Sequence, residues 1–344
     1  MLQSVDMDEA ASPAPAASAA SSGAEHEKDA AGECMAAGVE DWDSRLQVGG
    51  VFIVMVAGFA GAMLPVVSRH VEWLAGGVRV FTVGKFFGAG VILATAFVHM
   101  LGAAIETLGD KCLDGRMGDY ESWPALLAML AILAMHLMEH VLTRRVANAC
   151  AAAATAAAGT NDAGAHSGEK DHAHAMVLLG DERRRRLSTY ILELGIALHS
   201  VIIGMTLAVT GGAAYKTLLA AISVHQFFEG MAVGSRVSTL EFGRHTFALR
   251  TLNAAGFALT TPLGQAIGIG IHQSFAPRSP SSLLTMGVLE SLSAGILMYS
   301  AIVNLLVEEF ATSEFAAFGR TLRAVCFAAT YLGCATMAVI GKWA

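Results

Sequence analysis

Long apolar runs separated by short polar segments follow one another from about residue 48 to the end of the chain. A helix needs about 20 predominantly apolar residues to cross the hydrocarbon core of a bilayer. The pattern therefore predicts an all-α, polytopic integral membrane protein with about eight transmembrane helices. The predicted spans are 48–68, 83–104, 123–142, 189–210, 214–235, 247–272, 281–306 and 321–341.

Two polar segments interrupt this pattern. Residues 1–46 are rich in Ala, Ser, Pro and acidic residues, which predicts a disordered extracellular tail in front of a transmembrane domain at 47–344. A second polar segment, at about 143–188, predicts a disordered cytosolic loop that carries three histidines. Clustered imidazoles on such a loop can bind zinc or copper weakly, and an inert loop is the alternative. The three histidines are His166, His172 and His174.

The positions of Lys and Arg predict the orientation of the spans. Eight spans place both termini on one side, and with the termini outside most basic residues fall on the cytosolic side, as the positive-inside rule requires. The strongest marker is the run Arg183 to Arg186, which directly precedes the fourth span.

Composition agrees with a membrane protein and excludes some other classes. Hydrophobic residues make up 54% of the chain and charged residues 15%, whereas soluble domains are about one quarter charged. The net charge of −7, with basic residues scattered in short clusters, excludes a nucleic-acid-binding surface. The five cysteines show no CxxC spacing, so the sequence indicates neither a thiolate zinc site nor a redox motif. Cys34 and Cys112 both fall in segments predicted to lie outside, where a disulfide between them is an alternative to two free thiols.

Three ionisable residues in the fourth and fifth spans are the first candidate site, because such groups are costly inside a membrane and usually functional. His225 and Glu229 are four residues apart and so share one face of a helix. His199 lies about 15 Å into the preceding span from its inner end. The short connection between the two spans packs them side by side, so the three groups are expected to meet near the bilayer midplane.

The chemistry of these groups predicts a site for a divalent transition metal. Imidazole and carboxylate together suit zinc and ferrous iron, whereas calcium and magnesium prefer oxygen ligands alone. Three protein ligands leave a position open for water, which suits an ion that must be released. The alternative is an intrahelical polar pair, His225 with Glu229, that bridges to a neighbouring helix.

The two polar spans carry the motif HSVIIG at 199–204, followed by HQFFEG at 225–230. Further distinctive segments are GVILATAFVHML in the second span, LELGIALHS in the fourth, TTPLG at 260–264 and SAGILMYSAIVNLL in the seventh. These motifs resemble those of the ZIP family of zinc and iron permeases, and the resemblance extends over residues 48–344.

The resemblance implies a homodimeric permease in the plasma membrane, with an intracellular organelle membrane as the alternative. It would move zinc or ferrous iron into the cytosol by alternating access, with the ion as substrate and with no resident cofactor. His199, His225 and Glu229 would be the primary ligands, with Ser200 and Gln226 beside them. His99 would lie on the transport path.

Departures from the family pattern predict a single ion. Carboxylates found in members that bind two metal ions would fall at Ile203 and Thr261, where this chain has none. The Pro-Asp that often follows the second-span histidine is replaced by Gly102 and Ala103, and Glu106 is a candidate substitute.

Further polar residues predict an exit route toward the cytosol. Glu193 lies seven residues before Ser200, on nearly the same helix face, as an exit ligand or a packing residue. His136, Glu139 and His140 share a face near the inner end of the third span. They would receive the departing metal, or would reach to interfacial water as ordinary snorkelling residues.

Two other function classes, an enzyme and a receptor, fit the sequence less well than a transporter. An intramembrane metalloprotease would carry HExxH on one helix, and HQFFE has one histidine with no adjacent glutamate, so an enzyme is not expected. A metal-sensing receptor without translocation could use the same ligands, but the sequence shows no separate output domain. Zinc is the preferred substrate, with ferrous iron as the alternative.

Overall fold

The computed structural model describes residues 41–68, 78–113, 116, 120–158, 168–240, 243–273 and 276–343. Within these residues the chain forms eight long helices, which confirms the all-α class. The first four are α1 (Ser44–Ser68), α2 (Val78–Ala94, continued by Thr95–Leu101 and Gly102–Leu108), α3 (Trp123–Ala158) and α4 (Gly168–Ala208). The others are α5 (Gly212–Val237), α6 (Thr246–Ile271), α7 (Pro280–Tyr299, continued by Ser300–Val307 and Glu308–Phe310) and α8 (Arg320–Ile340).

Seven of these helices are long and apolar enough to cross a membrane. The exception is α5, whose central His225, Gln226 and Glu229 lower its mean hydropathy. Because these polar side chains are buried against other helices, α5 does not need an apolar surface around its whole circumference.

Differences from the predicted boundaries lie at the two polar segments. The first helix begins at Ser44, inside the predicted tail 1–46, and residues 1–40 lie outside the described part. The predicted disordered loop at 143–188 is helical up to Ala158 and again from Gly168. Helix propensity explains this difference, because the segment that extends α3 consists largely of alanine. His166 and the side chains of His172 and His174 lie outside the described residues.

The helices form two packed groups that meet around the candidate site. One group joins α1, α4, α5 and α6, and the other joins α2, α3, α7 and α8; α2 with α5, and α4 with α7, connect them. We call the end of the bundle with Leu108, Tyr215 and Pro280 the outer end, and the end with Lys85, Arg236 and Glu308 the inner end. Trp42 and Gln47 donate hydrogen bonds to carbonyls at the outer end of α4, Ala208 and Thr210.

Two helices are locally distorted. The chain adopts π-helical turns at Thr95–Leu101 in α2 and at Ser300–Val307 in α7. Such turns are rare and frequently occur at functional sites, since they change the direction of side chains within an otherwise regular helix. The first of them carries His99.

Candidate metal site

His199 of α4 and His225 and Glu229 of α5 form a compact group. Each offers one ligand atom, and these atoms all lie within 4.8 Å of one another. The exposed fractions of the three residues are 2%, 1% and 0%. Among the described residues, this is the group of three or more His, Cys, Asp or Glu close enough to share one ion.

The polar atoms of this group are not bonded to the surrounding protein. The ring nitrogens of both histidines and both carboxylate oxygens of Glu229 have no hydrogen-bond partner. His225 Nε2 lies 3.2 Å from Glu229 Oε1, but the two groups are not aligned for a hydrogen bond. Burying such atoms unpaired costs about 1–3 kcal/mol each, and more for a charge. Their convergence is the arrangement expected of ligands for a cation.

His99 lies next to this group on its α2 side. Its ring stands perpendicular to that of His225, with 5.0 Å between the ring centroids. His99 Nε2 donates a hydrogen bond of 2.8 Å to the carbonyl oxygen of Met337. This bond fixes the tautomer and leaves Nδ1 as the nitrogen with a free lone pair.

Ser200 and Gln226 follow the candidate ligands His199 and His225 directly in the sequence. The hydroxyl of Ser200 is buried without a partner. Gln226 accepts a hydrogen bond of 2.9 Å from Thr261, a residue of α6 that is fully buried. Gln226 is therefore held by α6 rather than by the three candidate ligands.

Gln265, one turn beyond Thr261 on α6, is a polar residue that sequence reasoning missed. It is 0% exposed, and both atoms of its amide group lack a partner. The sequence did contain a signal for Gln265, because a polar amide within an otherwise apolar span is costly in a membrane and commonly marks a functional position.

The position of a second carboxylate in the family pattern is occupied here by an apolar contact. Ile203 packs against a cluster that contains Val54, Leu207 and Ile222. Since the side chains of this cluster are apolar, they provide no ligand for a second ion at Ile203.

Glu193 faces away from the three candidate ligands. It lines a cavity of about 340 Å³ between α4 and α6, together with Tyr190, Asn253, Phe257 and Thr260 among others. Its Oε1 atom is buried and has no hydrogen-bond partner. The ring of Phe257 also approaches Gly230, beside Glu229, so it lies between this cavity and the candidate site.

The three candidate exit residues on α3 do not converge. His136 and His140 are exposed, whereas Glu139 is half-buried. Glu139 lines a small cavity at the inner end beside Ser188 and Asn304. Within the described residues these three side chains do not form a group able to share an ion.

Charged residues connect several helices at the inner end. The Arg236 guanidinium, with a side chain only 7% exposed, lies 3.6 Å from Glu308 and 3.6 Å from Glu309. It also donates hydrogen bonds to the Ser188 hydroxyl and to the Asn304 carbonyl. Lys85 of α2 pairs with Glu309 as well. These contacts hold α2, α4, α5 and α7 together below the candidate site.

Comparison with known proteins gives consistent results. The family profile described as "ZIP Zinc transporter" matches residues 44–341. The chain is 35% identical to "Zinc transporter 9" of Oryza sativa subsp. japonica, with 87% of this chain and 89% of that protein covered. It is 33% identical to "Fe(2+) transport protein 1" of Arabidopsis thaliana, with 87% and 86% covered. It is 30% identical to "Zinc-regulated transporter 1" of Candida albicans, with 88% and 62% covered.

Proposed function

Because this chain belongs to the ZIP family of metal transporters, we propose that it carries zinc into the cytosol through His199, His225 and Glu229. The chain is a multi-pass membrane protein that transports a divalent metal ion. Zinc is the substrate we propose first, because two of the three relatives above are named for zinc. Ferrous iron is the second candidate, since another relative is an Fe(2+) transport protein.

This proposal rests on the burial of three candidate ligands, one on α4 and two on α5, whose polar side-chain atoms have no hydrogen-bond partner. Two imidazoles and one carboxylate suit zinc and ferrous iron better than calcium or magnesium. Three protein ligands leave room for water or a further ligand and so permit exchange.

The burial of this site supports alternating access. An ion bound to side chains that are at most 2% exposed reaches water only after the helices move. The contacts of Arg236 with Glu308 and Glu309 hold the inner end together. We propose that they separate when the ion is released to the cytosol.

The oligomeric state, the membrane and the orientation of the chain are also proposals. We propose a homodimer in the plasma membrane with the outer end outside the cell. A disulfide at Cys112, near the outer end, supports this orientation, because disulfides persist in oxidising compartments. Cys326 and Cys334, within α8, are free thiols.

Uptake of radioactive zinc and ferrous iron by metal-starved cells expressing this chain tests the substrate. We expect expression to raise zinc uptake, and an excess of unlabelled zinc to suppress iron uptake more strongly than the reverse. Stronger suppression of zinc uptake by iron would make ferrous iron the main substrate. Proteoliposomes that bind zinc without accumulating it would contradict transport.

Equilibrium binding tests how many ions one chain holds in its central site. We expect one tightly bound zinc per chain, because the two positions at which a second ion would need a carboxylate offer none. Ile203 packs in an apolar cluster, and the Thr261 hydroxyl donates a hydrogen bond to Gln226. Dialysis of the purified protein against radioactive zinc measures this stoichiometry. Two ions of equal affinity, both lost in the Glu229→Gln variant, would contradict a single-ion site.

A further inference from the structure

A buried carboxylate near the outer end has no role in the site described so far. Glu290 of α7 is 5% exposed, and its Oε2 atom is buried without a hydrogen-bond partner. The side chain of Thr107, on α2, interacts with the same carboxyl group. Gly287, one turn earlier on α7, packs directly against Leu108. Glu290 therefore lies at the contact between the outer parts of α2 and α7.

The electrostatic surroundings of Glu290 favour a positively charged ligand. The charged residue that acts on its carboxyl group is Glu106, which carries a charge of the same sign. Among the described residues, Glu290 forms no ion pair. A buried carboxylate beside a second acid is costly unless a cation or a proton compensates it.

One arginine at the outer end, Arg278, is bound to another carboxylate. Arg278 Nη2 lies 3.2 Å from Asp110 Oδ1, and Arg278 Nε lies 3.3 Å from Asp110 Oδ2. The backbone N–H of Cys112 and the Arg278 guanidinium hold the pKa of Asp110 below its ordinary value, so Asp110 stays ionised and keeps its partner. Arg278 is thus committed to Asp110.

Glu106, Thr107 and Glu290 differ in their access to solvent. Glu106 is exposed, Thr107 is half-buried and Glu290 is buried. His99 lies about two turns earlier on α2 than Glu106, and its ring contacts that of His225. Along α2, the oxygen groups of Glu106 and Thr107 therefore lie nearer the outer end than the imidazole of His99.

We propose that Glu290, Glu106 and Thr107 form a second, weaker site that binds a divalent cation before it moves on toward His99. This inference rests on the proposed transport function. Two carboxylates and a hydroxyl are hard oxygen ligands, so the site accepts calcium, manganese or zinc with little preference. Selection for zinc is then made only at the imidazoles of the central site.

Kinetics of zinc uptake by the full-length chain test this site. Glu290→Gln and Glu106→Gln each remove one charge at nearly constant size. We expect each to raise the KM for zinc about tenfold, because acidic groups in a cleft concentrate cations by at least that factor. The maximal rate, normalised to surface abundance, is expected to stay within about twofold of wild type. The double variant is expected to raise KM by less than the product of the single effects, since both residues bind one ion.

The matched control is Ser293→Ala, which removes an unpartnered buried hydroxyl one turn from Glu290 without changing charge. We expect its KM to equal that of wild type. External calcium in excess is expected to raise the KM of wild type and to have no effect on the double variant.

An unchanged KM in Glu290→Gln would overturn the proposal of a second site. So would a KM of the double variant that is raised by the full product of the two single effects. If Glu290→Gln does not reach the cell surface, the KM of Glu106→Gln tests the second site instead, because Glu106 is exposed and its replacement does not disturb the packing. An unchanged KM in Glu106→Gln would then overturn the proposal. Wild-type cells that take up no metal in the same assay would instead contradict the proposed function.

Discussion

Replacing His199 with Ala is expected to reduce zinc uptake to the background of untransformed cells, while the chain still reaches the membrane. The change leaves only His225 and Glu229 to hold the ion, on a single helix. Because loss of even an outer partner of a metal ligand commonly weakens binding 10- to 100-fold, we expect loss of a direct ligand to lower uptake by at least about 100-fold. Glu229→Gln is expected to have a similar effect, since the amide keeps the size but not the charge.

Thermal unfolding in detergent separates loss of a ligand from loss of the fold. Wild type is expected to melt at a higher temperature when zinc is added, because a ligand that binds only the folded state stabilises it. His199→Ala is expected to lose this response but to melt at or above the temperature of metal-free wild type, because it removes a buried unpaired group. The exposed His245 provides the control: His245→Ala should keep both uptake and the zinc response. Normal uptake by His199→Ala would remove His199 from the site.

The helices and the convergence of His199, His225 and Glu229 were predictable from sequence because both depend on short-range patterns. Apolar runs of bilayer length gave eight spans, and the boundaries of α6 and α8 agree with the predicted ones to within a residue. The spacing of His225 and Glu229 placed them on one face. The predicted side-by-side packing of α4 and α5 is only local, because α4 packs mainly on α6 and α5 mainly on α1. The hydropathy pattern could not show how far α3 and α4 continue beyond the membrane, because it detects only contact with lipid.

Other parts of the site depend on contacts between distant helices, which no local pattern reveals. The spacing of Glu193 from Ser200 suggested a shared helix face, but the side chain of Glu193 lines a separate cavity against α6. Glu290 and Gln265 are single polar residues in apolar spans, and their unpaired atoms become visible only when neighbouring helices are in place. Arg236 was counted as one of many cytosolic charges, whereas it is buried among acidic residues of α7.

Adding one methyl group at Gly264 is expected to destabilise the protein and to impair transport. A Cβ atom at this position of α6 would lie 2.1 Å from the backbone oxygen of Val201 in α4. Gly204 makes the reciprocal contact, with a Cβ 2.2 Å from the oxygen of Thr261. Small residues permit such close helix packing in membranes. Because backbone atoms cannot move aside as a flexible side chain does, Gly264→Ala is expected to push α4 and α6 apart, at a cost of about 1–3 kcal/mol.

This displacement would also reach the metal site, because Val201 lies two residues from His199 on α4. A ligand moved by about 1 Å can lower activity about 100-fold, so uptake by Gly264→Ala is expected to fall further than its abundance. Gly256→Ala on the same helix is the control, since its Cβ would meet no atom within 4 Å. Helix propensity alone predicts that Gly256→Ala stabilises the protein by up to about 1 kcal/mol. Equal melting temperatures for the two variants would show that the close contact of α4 and α6 is not required for stability.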